Sequence, residues 1–582
     1  MNQQRPMPPT NDHTTEFIVV AGTVFLSTVG ANWLGAWVAA FVGRQQRLSA
    51  SFSESLQALL HMPGNFGDPR RAWTEPFASR LPGPFVYWPA VVLVVGVLTT
   101  VAFFAVRWLR GPDRHVSPDR RKRLGVEAQP RLATTVDLGP LLAPSAAPNR
   151  FVLGTWDRRR LLLTEDAVVR RGRRGVRGAV AIFGPTQSGK TTGLIRGVEE
   201  WIGPAVVSSV KTDLLHCTIG RRSAAGEIKV FDPLRISGMP GATWSPLRSA
   251  VTLEGALAAA QLLAPADRDT NSTDQFWRGQ AQQLIAGMLW VAANTQNHTM
   301  ANVVQWVTRL DKPDEDGPGT LSPLVRLLTE HESPSIAAAA KKVQGYLQGQ
   351  WKTDPRTSAS IYTTARNAVW PWADPGVEAS AMGCEITLDW LLAGNNTLYL
   401  VAPLGDEDRV GAVFAAVMAD LICQAFERYT RTNRPIDPGL LLVLDEAANT
   451  PLPLLPQWSA TITGAGVQLV TVWQSKSQID NTYGRDADNL LTNHRSKLVY
   501  PSSTSDIPTA DYFRSLIGDE HIRSDLDERS SYGTDRYRDR SPATTVPFLA
   551  TNVLRQMKVG DALLIHGALP PAWIKGPKRR RR

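Results

Sequence analysis

Residues 184–191 read Gly184-Pro185-Thr186-Gln187-Ser188-Gly189-Lys190-Thr191, and this stretch decides the fold of the chain. The apolar run Ala179-Val180-Ala181-Ile182-Phe183 comes directly before it, and Thr192-Gly193-Leu194-Ile195 follows it. This order predicts a β-strand, a glycine-rich turn and the first turn of a helix, which is the arrangement of a phosphate-binding loop. The alternative is a glycine-rich turn between a strand and a helix that arises by chance in a chain of this composition.

Each residue type in this loop has a physical role in holding a polyphosphate. The glycines allow backbone N–H groups to turn inward around the phosphates. The Lys190 ammonium is expected to reach the β- and γ-phosphates, and the Thr191 hydroxyl is expected to hold Mg²⁺. The predicted nucleotide-binding residues are Gly184, Pro185, Thr186, Gln187, Ser188, Gly189, Lys190, Thr191 and Thr192.

A second motif of the predicted nucleotide site follows an apolar run at residues 440–444, which continues into Asp445 and Glu446. At the end of a parallel strand these carboxylates would lie at the edge of the sheet where phosphates bind. Asp445 is expected to hold the Mg²⁺ shell through water, and Glu446 to orient and deprotonate the attacking water. Gln474 ends a further predicted strand and is a candidate sensor of the γ-phosphate. On its own, an apolar strand that ends in Asp-Glu is more often structural than functional, and a glutamine at the end of a strand is usually only a surface residue.

Composition limits the classes of partner and site. The net charge is +10 and the isoelectric point is near 9.6, which indicates a polyanionic partner, either nucleic acid or anionic lipid. The three cysteines, Cys217, Cys384 and Cys423, have no paired spacing of the kind that zinc sites or a disulfide framework require.

Two uncharged stretches, residues 17–42 and 84–106, are long enough to cross a bilayer as helices. The alternatives are a cleaved signal peptide for the first and a buried soluble helix for the second. A basic cluster follows the second stretch, so the positive-inside rule predicts that residues 1–16 and everything after residue 106 face the cytoplasm and that residues 43–83 face outward. The cluster consists of Arg107, Arg110, Arg114, Arg120, Arg121, Lys122 and Arg123.

The predicted fold class is α/β, a P-loop NTPase domain with an inserted all-α domain, preceded by two N-terminal transmembrane helices. Residues 107–150 are a basic juxtamembrane tether, 151–250 and 379–570 form the two parts of the nucleotide-binding domain, and 251–378 form the all-α domain. Residues 571–582 are a basic tail that includes Lys578-Arg579-Arg580-Arg581-Arg582, either a contact for DNA or lipid or a solvated end.

This order of parts resembles the VirD4/TraG-type coupling proteins of type IV secretion and conjugation. Beyond the nucleotide site, the resemblance lies in segments spread over residues 150–570. These segments are Ser209-Val210-Lys211-Thr212-Asp213-Leu214, Val230-Phe231-Asp232-Pro233, Trp244-Ser245-Pro246-Leu247, Phe276-Trp277, Thr397-Leu398-Tyr399-Leu400 and Gln474-Ser475-Lys476-Ser477-Gln478.

The resemblance implies that the nucleotide-binding domain is RecA-like and that the protein is an ATP- and Mg²⁺-dependent motor, which assembles as a ring of six subunits at the inner face of the cell membrane. Such a motor recruits a relaxase bound to single-stranded DNA, or its accessory protein, to the channel components of a type IV secretion system. The all-α domain is implied to recognise the cargo. Sequence alone shows no dedicated DNA-binding motif, so any DNA contacts are expected to be directed at phosphates and to depend on salt.

The chain departs from the family pattern at Thr463-Gly464-Ala465-Gly466, where many relatives carry an arginine before the sensor strand. If that arginine serves a neighbouring subunit's ATP site, another residue must take the role here, and the candidates are Arg409, Arg366 and Arg495. Three alternatives to DNA coupling remain: an ATPase that secretes protein cargo, a nucleotide-gated docking scaffold with negligible hydrolysis, and a pump for double-stranded DNA. The long helical insertion and the single pair of membrane helices fit the last of these poorly.

Overall fold

A computed structural model describes residues 13–44, 47–110, 122–123, 126–127, 129–157, 160–165, 178–265, 272–313, 317–402, 405, 407–501, 505–522 and 544–576. By its internal contacts the chain divides into two compact units, Met1–Val126 and Glu127–Arg582. Some basic residues singled out in the sequence lie outside the described residues. They are Arg114, Arg120 and Arg121 of the predicted juxtamembrane cluster and the run Lys578–Arg582.

The strands are β1 (Lys122–Arg123), β2 (Val126–Glu127), β3 (Leu142–Ala143), β4 (Val152–Trp156), β5 (Arg160–Leu163), β6 (Val180–Phe183), β7 (Ala205–Ser209), β8 (Ile228–Phe231), β9 (Thr397–Val401), β10 (Leu440–Leu444), β11 (Val467–Trp473), β12 (Ser496–Val499), β13 (Asp519–Ile522), β14 (Thr544–Pro547), β15 (Asp561–His566) and β16 (Ala572–Lys575).

The helices are α1 (His13–Arg44), α2 (Phe52–His61), α3 (Pro84–Arg110), α4 (Lys190–Glu200), α5 (Asp213–Ser223), α6 (Leu253–Leu263), α7 (Ser272–Asn294), α8 (Met300–Thr308), α9 (Leu321–Thr329), α10 (Pro334–Trp351), α11 (Pro355–Val369), α12 (Pro375–Ser380), α13 (Leu388–Leu392), α14 (Glu407–Thr432), α15 (Leu455–Trp458), α16 (Lys476–Tyr483), α17 (Ala487–Asn493), α18 (Ile507–Ile517) and α19 (Thr551–Arg555). Short 3₁₀ helices join some of them, among them Pro246–Val251 and Trp370–Ala373.

Twelve of the described strands form one sheet in the order β3-β5-β4-β16-β15-β12-β6-β11-β10-β7-β9-β8. From β12 to β8 every neighbouring pair is parallel. The sequence of β10 fits this parallel arrangement, because all its residues are apolar and buried, as a parallel strand covered on both faces requires. Leu440, Leu442 and Leu444 face one hydrophobic core, while Leu441 and Val443 face another.

The other half of the sheet is antiparallel. Strand β15 pairs antiparallel with β12, β16 with β15, β4 with β16, and β5 with both β4 and β3. Four of these strands, β3, β4, β5 and β16, were not predicted from the sequence. Because β16 runs antiparallel to β15, its C-terminal end lies at the same edge of the sheet as the C-terminal ends of the parallel strands.

Helices fill the chain between β8 and β9, and the described residues there contribute no strand to the sheet. Several of these helices begin at side-chain caps. Thr252 accepts from the backbone N–H of Gly255 at the start of α6, and Asp354 accepts from the N–H groups of residues 356 and 357 before Pro355 of α11. The predicted end of the all-α domain at residue 378 falls inside α12. The core of these helices is continuous with one face of the sheet.

The first unit is more ordered than a pair of helices joined by a loop. Its segment 43–83, predicted as an extracytoplasmic loop, contains α2 and three short 3₁₀ turns. A buried hydrogen-bond network connects α1, α2 and α3. The Asn32 amide donates to Ser55 Oγ (3.2 Å), the Tyr87 hydroxyl donates to Asn32 Oδ1 (2.8 Å), and the Trp73 indole N–H donates to the Tyr87 hydroxyl (3.2 Å).

Two of the described helical segments are long and apolar enough to span a membrane. The segment Pro84–Val101 of α3 is only 11% buried, whereas Arg409–Thr432 of α14 is 61% buried in the second unit and is a core helix. The predicted spans 17–42 and 84–106 lie within α1 and α3. A side chain at Gly35 of α1 would lie 2.5 Å from Val91 Cγ2 of α3, so the glycine permits the close approach of these two helices.

Candidate functional site

The predicted phosphate loop connects β6 to α4. Gln187 and Gly189 have positive φ angles of 67° and 97°. A side chain at Gly189 would lie 3.2 Å from the backbone of Gly560, and one at Gly184 would lie 2.4 Å from Ser188 Oγ. Glycine is therefore required at both positions, at Gly189 by its left-handed backbone and its neighbour and at Gly184 by the closeness of the Ser188 hydroxyl.

Lys190 is the first residue of α4, and its side chain is buried, with 5% of the residue exposed. Among the described residues its Nζ has no hydrogen-bond partner, and the same holds for Ser188 Oγ. Burial lowers the pKa of the Lys190 ammonium, while the carboxylates of Asp445 and Glu446 oppose that shift. A buried ammonium and a buried hydroxyl without partners are what a phosphate-binding site needs before its ligand arrives.

The next two residues lie in the first turn of the same helix. Thr191 is half-buried and Thr192 is exposed. The first N–H groups of a helix have no partner within the helix and carry the positive end of its dipole. This end of α4 therefore favours an anion beside Lys190.

Asp445 follows the last residue of β10 and is buried. The Ser209 hydroxyl donates to Asp445 Oδ2 at 3.0 Å. Burial raises the pKa of the Asp445 carboxyl, and the hydrogen bond from Ser209 and the charge of Lys190 oppose this shift. A divalent cation nearby would favour the ionised form of such a carboxyl.

Glu446 has a left-handed backbone conformation, with φ at 54°. Its two carboxylate oxygens accept from different residues. Lys211 Nζ lies 3.2 Å from Glu446 Oε1, and the Asn449 amide donates to Glu446 Oε2 at 3.4 Å. The side chain of Glu446 is 13% exposed, so it reaches the surface of the site.

Gln474 directly follows β11, the strand between β6 and β10. The backbone N–H of Gly184 donates to the carbonyl of Trp473 at 3.0 Å, which places Gln474 next to the start of the phosphate loop. Its own backbone N–H donates to Gln478 Oε1 at 2.8 Å. The phosphate loop, Asp445, Glu446 and Gln474 thus share one edge of the sheet, as the parallel order predicts.

Three residues near the site were not predicted to belong to it: Ser209, Lys211 and Gly560. Ser209 and Lys211 lie at the end of β7, which pairs with β10. Gly560 lies in the loop before β15 and packs on Gly189. The sequence signals were a polar end on an apolar strand and a glycine next to the start of a strand, but neither shows which strands are neighbours.

The three arginines considered as partners of a neighbouring nucleotide site lie in different environments. Arg495 precedes β12 at the opposite edge of the sheet and pairs with Glu165 at 3.0 Å. Arg409 of α14 pairs with Asp374, and Arg366 is exposed on α11. The segment Thr463–Gly466 precedes β11, so it also lies at the edge opposite the phosphate loop.

The donor set suits a nucleotide with Mg²⁺. Lys190, Ser188 and the N-terminus of α4 offer donors and positive charge for phosphates, and Asp445 offers a carboxylate for a hard cation. A parallel sheet with this loop and these carboxylates at its carboxyl edge is the arrangement of a P-loop nucleotide-binding fold.

The chain belongs to the type IV secretory system conjugative DNA transfer family, whose model matches residues 153–575. The conjugal transfer protein TraG of Escherichia coli is 23% identical over 461 residues, which are 74% of this chain and 68% of TraG. The predicted resemblance is confirmed. At the level of the family, so is the predicted function, a coupling protein of conjugative DNA transfer.

Solved structures have the same fold. The bacterial conjugative coupling protein TrwBdeltaN70, in a trigonal form with sulphate, has a TM-score of 0.53 and 16% identity, covering 80% of this chain and 96% of that one. The plasmid coupling protein TrwB in complex with ADP and Mg²⁺ has a TM-score of 0.51 and 15% identity, covering 75% and 97%. These likenesses confirm the α/β fold of a RecA-like P-loop NTPase with an all-α domain.

Proposed function

We propose that this chain is a membrane-anchored ATPase that couples a relaxase bound to single-stranded DNA to a type IV secretion channel. The observation that carries the enzymatic part is the buried Lys190 ammonium, which has no partner among the described residues and lies beside two carboxylates. TrwB was solved with ADP and Mg²⁺ and with the ATP analogue ADPNP, which supports ATP and Mg²⁺ as the ligands of this chain.

Each residue of the site has a proposed role. The loop Gly184–Gly189 turns its N–H groups toward the phosphates, and Lys190, Thr191 and Thr192 extend that cradle from the first turn of α4. Thr191 and Asp445 hold Mg²⁺, which neutralises the charge that develops on the phosphates when it is bound. The buried position of Asp445 fits a role in holding a cation.

Glu446 is the proposed general base. Its carboxylate takes a proton from the attacking water, and its low exposure keeps that carboxylate in a site with little bulk water. Gln474 lies next to the start of the phosphate loop and is proposed to respond to the γ-phosphate through its side-chain amide. Lys190 stays with the phosphates while the bond to the terminal phosphoryl group breaks.

The membrane arrangement is proposed from α1 and α3. Residues 17–42 and 84–106 cross the inner membrane twice, the segment between them faces outward, and the bulk of the chain lies in the cytoplasm. The exposed apolar surface of α3 supports this arrangement, since Val92, Leu93 and Val101 are all more than half exposed. The active assembly is proposed to be a ring of six subunits.

Two other functions would use the same site. An ATPase for protein cargo would have the same nucleotide chemistry with another substrate. A docking scaffold would bind ATP without appreciable hydrolysis, and the threonine at position 463, where relatives carry an arginine, favours this second candidate.

The experiment that separates these functions is the ATPase rate of the full chain in detergent, with and without single-stranded DNA, over a range of protein and salt concentrations. We expect DNA to stimulate turnover, the stimulation to rise with protein concentration, and salt to weaken it. Turnover that a relaxase or other protein stimulates, but DNA does not, would support protein cargo. Binding of ATP without turnover under every condition would support the scaffold.

A further inference from the structure

The end of β7 lies against both acidic residues of the nucleotide site. Strand β7 pairs in parallel with β10, with Ser208 opposite Leu444. The backbone N–H of Asp445 continues this ladder by donating to the Ser208 carbonyl at 2.9 Å. The end of β7 with the residues after it, Ser209 to Lys211, is therefore a neighbour of Asp445 and Glu446, which follow β10, at the edge of the sheet where the phosphate loop lies.

The side chains of these neighbours form two contacts. Ser209 Oγ donates to Asp445 Oδ2 at 3.0 Å and also accepts from the backbone N–H of Lys211 at 3.3 Å. Lys211 Nζ lies 3.2 Å from Glu446 Oε1. The Lys211 side chain is 35% exposed and the Glu446 side chain 13%. This ion pair thus lies partly out of water, where it is screened less than a pair on the open surface.

The backbone of Glu446 explains why the pair can form. A left-handed φ is uncommon for a residue with a side chain and has an energetic cost, so the surrounding contacts must maintain it. After this turn the carboxylate is held on both oxygens, by Lys211 on one and by Asn449 on the other. A carboxylate with two oxygens has about four acceptor sites, so two remain available for a water molecule.

We propose that Lys211 is a positioning residue, which holds the Glu446 carboxylate in the orientation from which it accepts the proton of the attacking water. This inference rests on the proposed function of Glu446 as general base. Lys211 acts through Glu446 and does not bind the nucleotide itself. Ser209 has the matching role for Asp445, so the end of β7 holds both acids of the site.

The charges around the site are consistent with this role. Two ammonium groups, Lys190 and Lys211, face two carboxylates, Asp445 and Glu446. Lys190 is buried and without a partner, which leaves it available to phosphates, whereas Lys211 is already engaged by Glu446. A general base must lie within hydrogen-bond reach of its water, and a misplacement of about 1 Å can reduce turnover about 100-fold.

The test is made on the full chain in detergent with Lys211→Met, Lys211→Arg and Glu446→Gln, alone and combined. Lys342→Met, an exposed lysine of α10, is the matched control. We expect Lys211→Met to lower kcat about 10- to 100-fold with little change in the Kd for ADPNP. Lys211→Arg is expected to recover part of the rate, because a guanidinium group also pairs with a carboxylate. In the Glu446→Gln background, Lys211→Met is expected to cause no further loss, because the two residues act as a unit.

Several results would overturn the proposal. Unchanged or raised kcat in Lys211→Met would mean that Glu446 does not need the pair. A fall in ADPNP affinity that matches the fall in kcat would make Lys211 a phosphate ligand instead. A full additional loss in the Glu446→Gln background would mean that Lys211 acts on another group.

Absence of turnover in the wild-type chain that still binds ADPNP would instead count against the proposed function. The contact is then tested without catalysis, by thermal unfolding of the single variants and of the Lys211→Met/Glu446→Gln double variant without nucleotide. Equal and additive losses of stability would overturn the pairing, and non-additive losses would support it.

Discussion

Replacement of Lys190 by methionine should affect the empty and the nucleotide-bound protein in opposite directions. The Lys190 ammonium is buried without a hydrogen-bond partner among the described residues, and burial lowers its pKa. A buried polar group left unsatisfied costs about 1–3 kcal/mol of folding free energy, and more when it is charged. Methionine keeps most of the aliphatic stem and removes the charge. Without nucleotide, Lys190→Met should therefore unfold at a higher temperature than the wild type.

With nucleotide the order should reverse. A ligand at 100 times its Kd adds about 2.7 kcal/mol to the stability of a protein that binds it only when folded. The wild type should gain this stability from ATP with Mg²⁺, whereas Lys190→Met should gain almost none, because its contact with the phosphates is lost. The assay is the thermal midpoint of the full chain in detergent, with and without ADPNP and Mg²⁺. Turnover is measured in parallel and should be abolished.

Lys342→Met is the control, since Lys342 is exposed on α10 and its replacement should change neither midpoint. The reasoning would be refuted if Lys190→Met were less stable than the wild type without nucleotide, because Lys190 would then have a structural partner. It would equally be refuted if ADPNP stabilised the variant as much as the wild type. The second result would show that the nucleotide does not bind at this loop.

Three further predictions concern the second unit. Glu446→Gln should bind ATP as the wild type does and hydrolyse it only at a small residual rate, which equilibrium binding and turnover measure together; loss of binding would contradict the role of general base. Burial lowers the pKa of Lys497 from 10.5 to about 8. The unfolded chain therefore binds more protons between these values, so stability should rise as the pH increases from 8 to 10.5, and thermal midpoints of Lys497→Met should lack this rise. The buried Arg222 guanidinium donates to Thr397 Oγ1 at 2.8 Å and to three backbone carbonyls. Arg222→Met should thus lose roughly 3 kcal/mol in urea unfolding, and a change near zero would contradict this.

The phosphate loop and the acidic strand end could be predicted because their signals are local. Each consists of an apolar run followed at once by residues whose chemistry is specific, and the structure places them at the ends of β6 and β10. Helix α6 has a local signal of the same kind, because Thr252 and a run of leucines and alanines mark its start and length. Such patterns need no knowledge of the rest of the chain.

The contacts of Ser209 and Lys211 could not be predicted in the same way. Ser209 and Asp445 are 236 positions apart, and only the order of the strands brings them together. In the sequence, the helical segment between β8 and β9 separates Ser209 from Asp445. Nothing near either residue in the sequence therefore indicates that the two are in contact. The strands β3, β4 and β5 were missed because they lie on an antiparallel extension of the sheet, which is joined to the rest through the distant strand β16.

The nucleotide site connects the fold to the proposed function through the desolvation cost of its charged side chains. Burial shifts the pKa values of Lys190 and Asp445 in opposite directions, downward for the ammonium and upward for the carboxyl, and each shift means that the fold disfavours the charged form. Phosphates beside Lys190 and a cation beside Asp445 would relieve both costs at once. The buried charged groups of the site therefore lower the free energy of unfolding of the protein without its ligands, and ligand binding is expected to offset this loss. Nucleotide with Mg²⁺ should therefore raise the thermal midpoint of the chain.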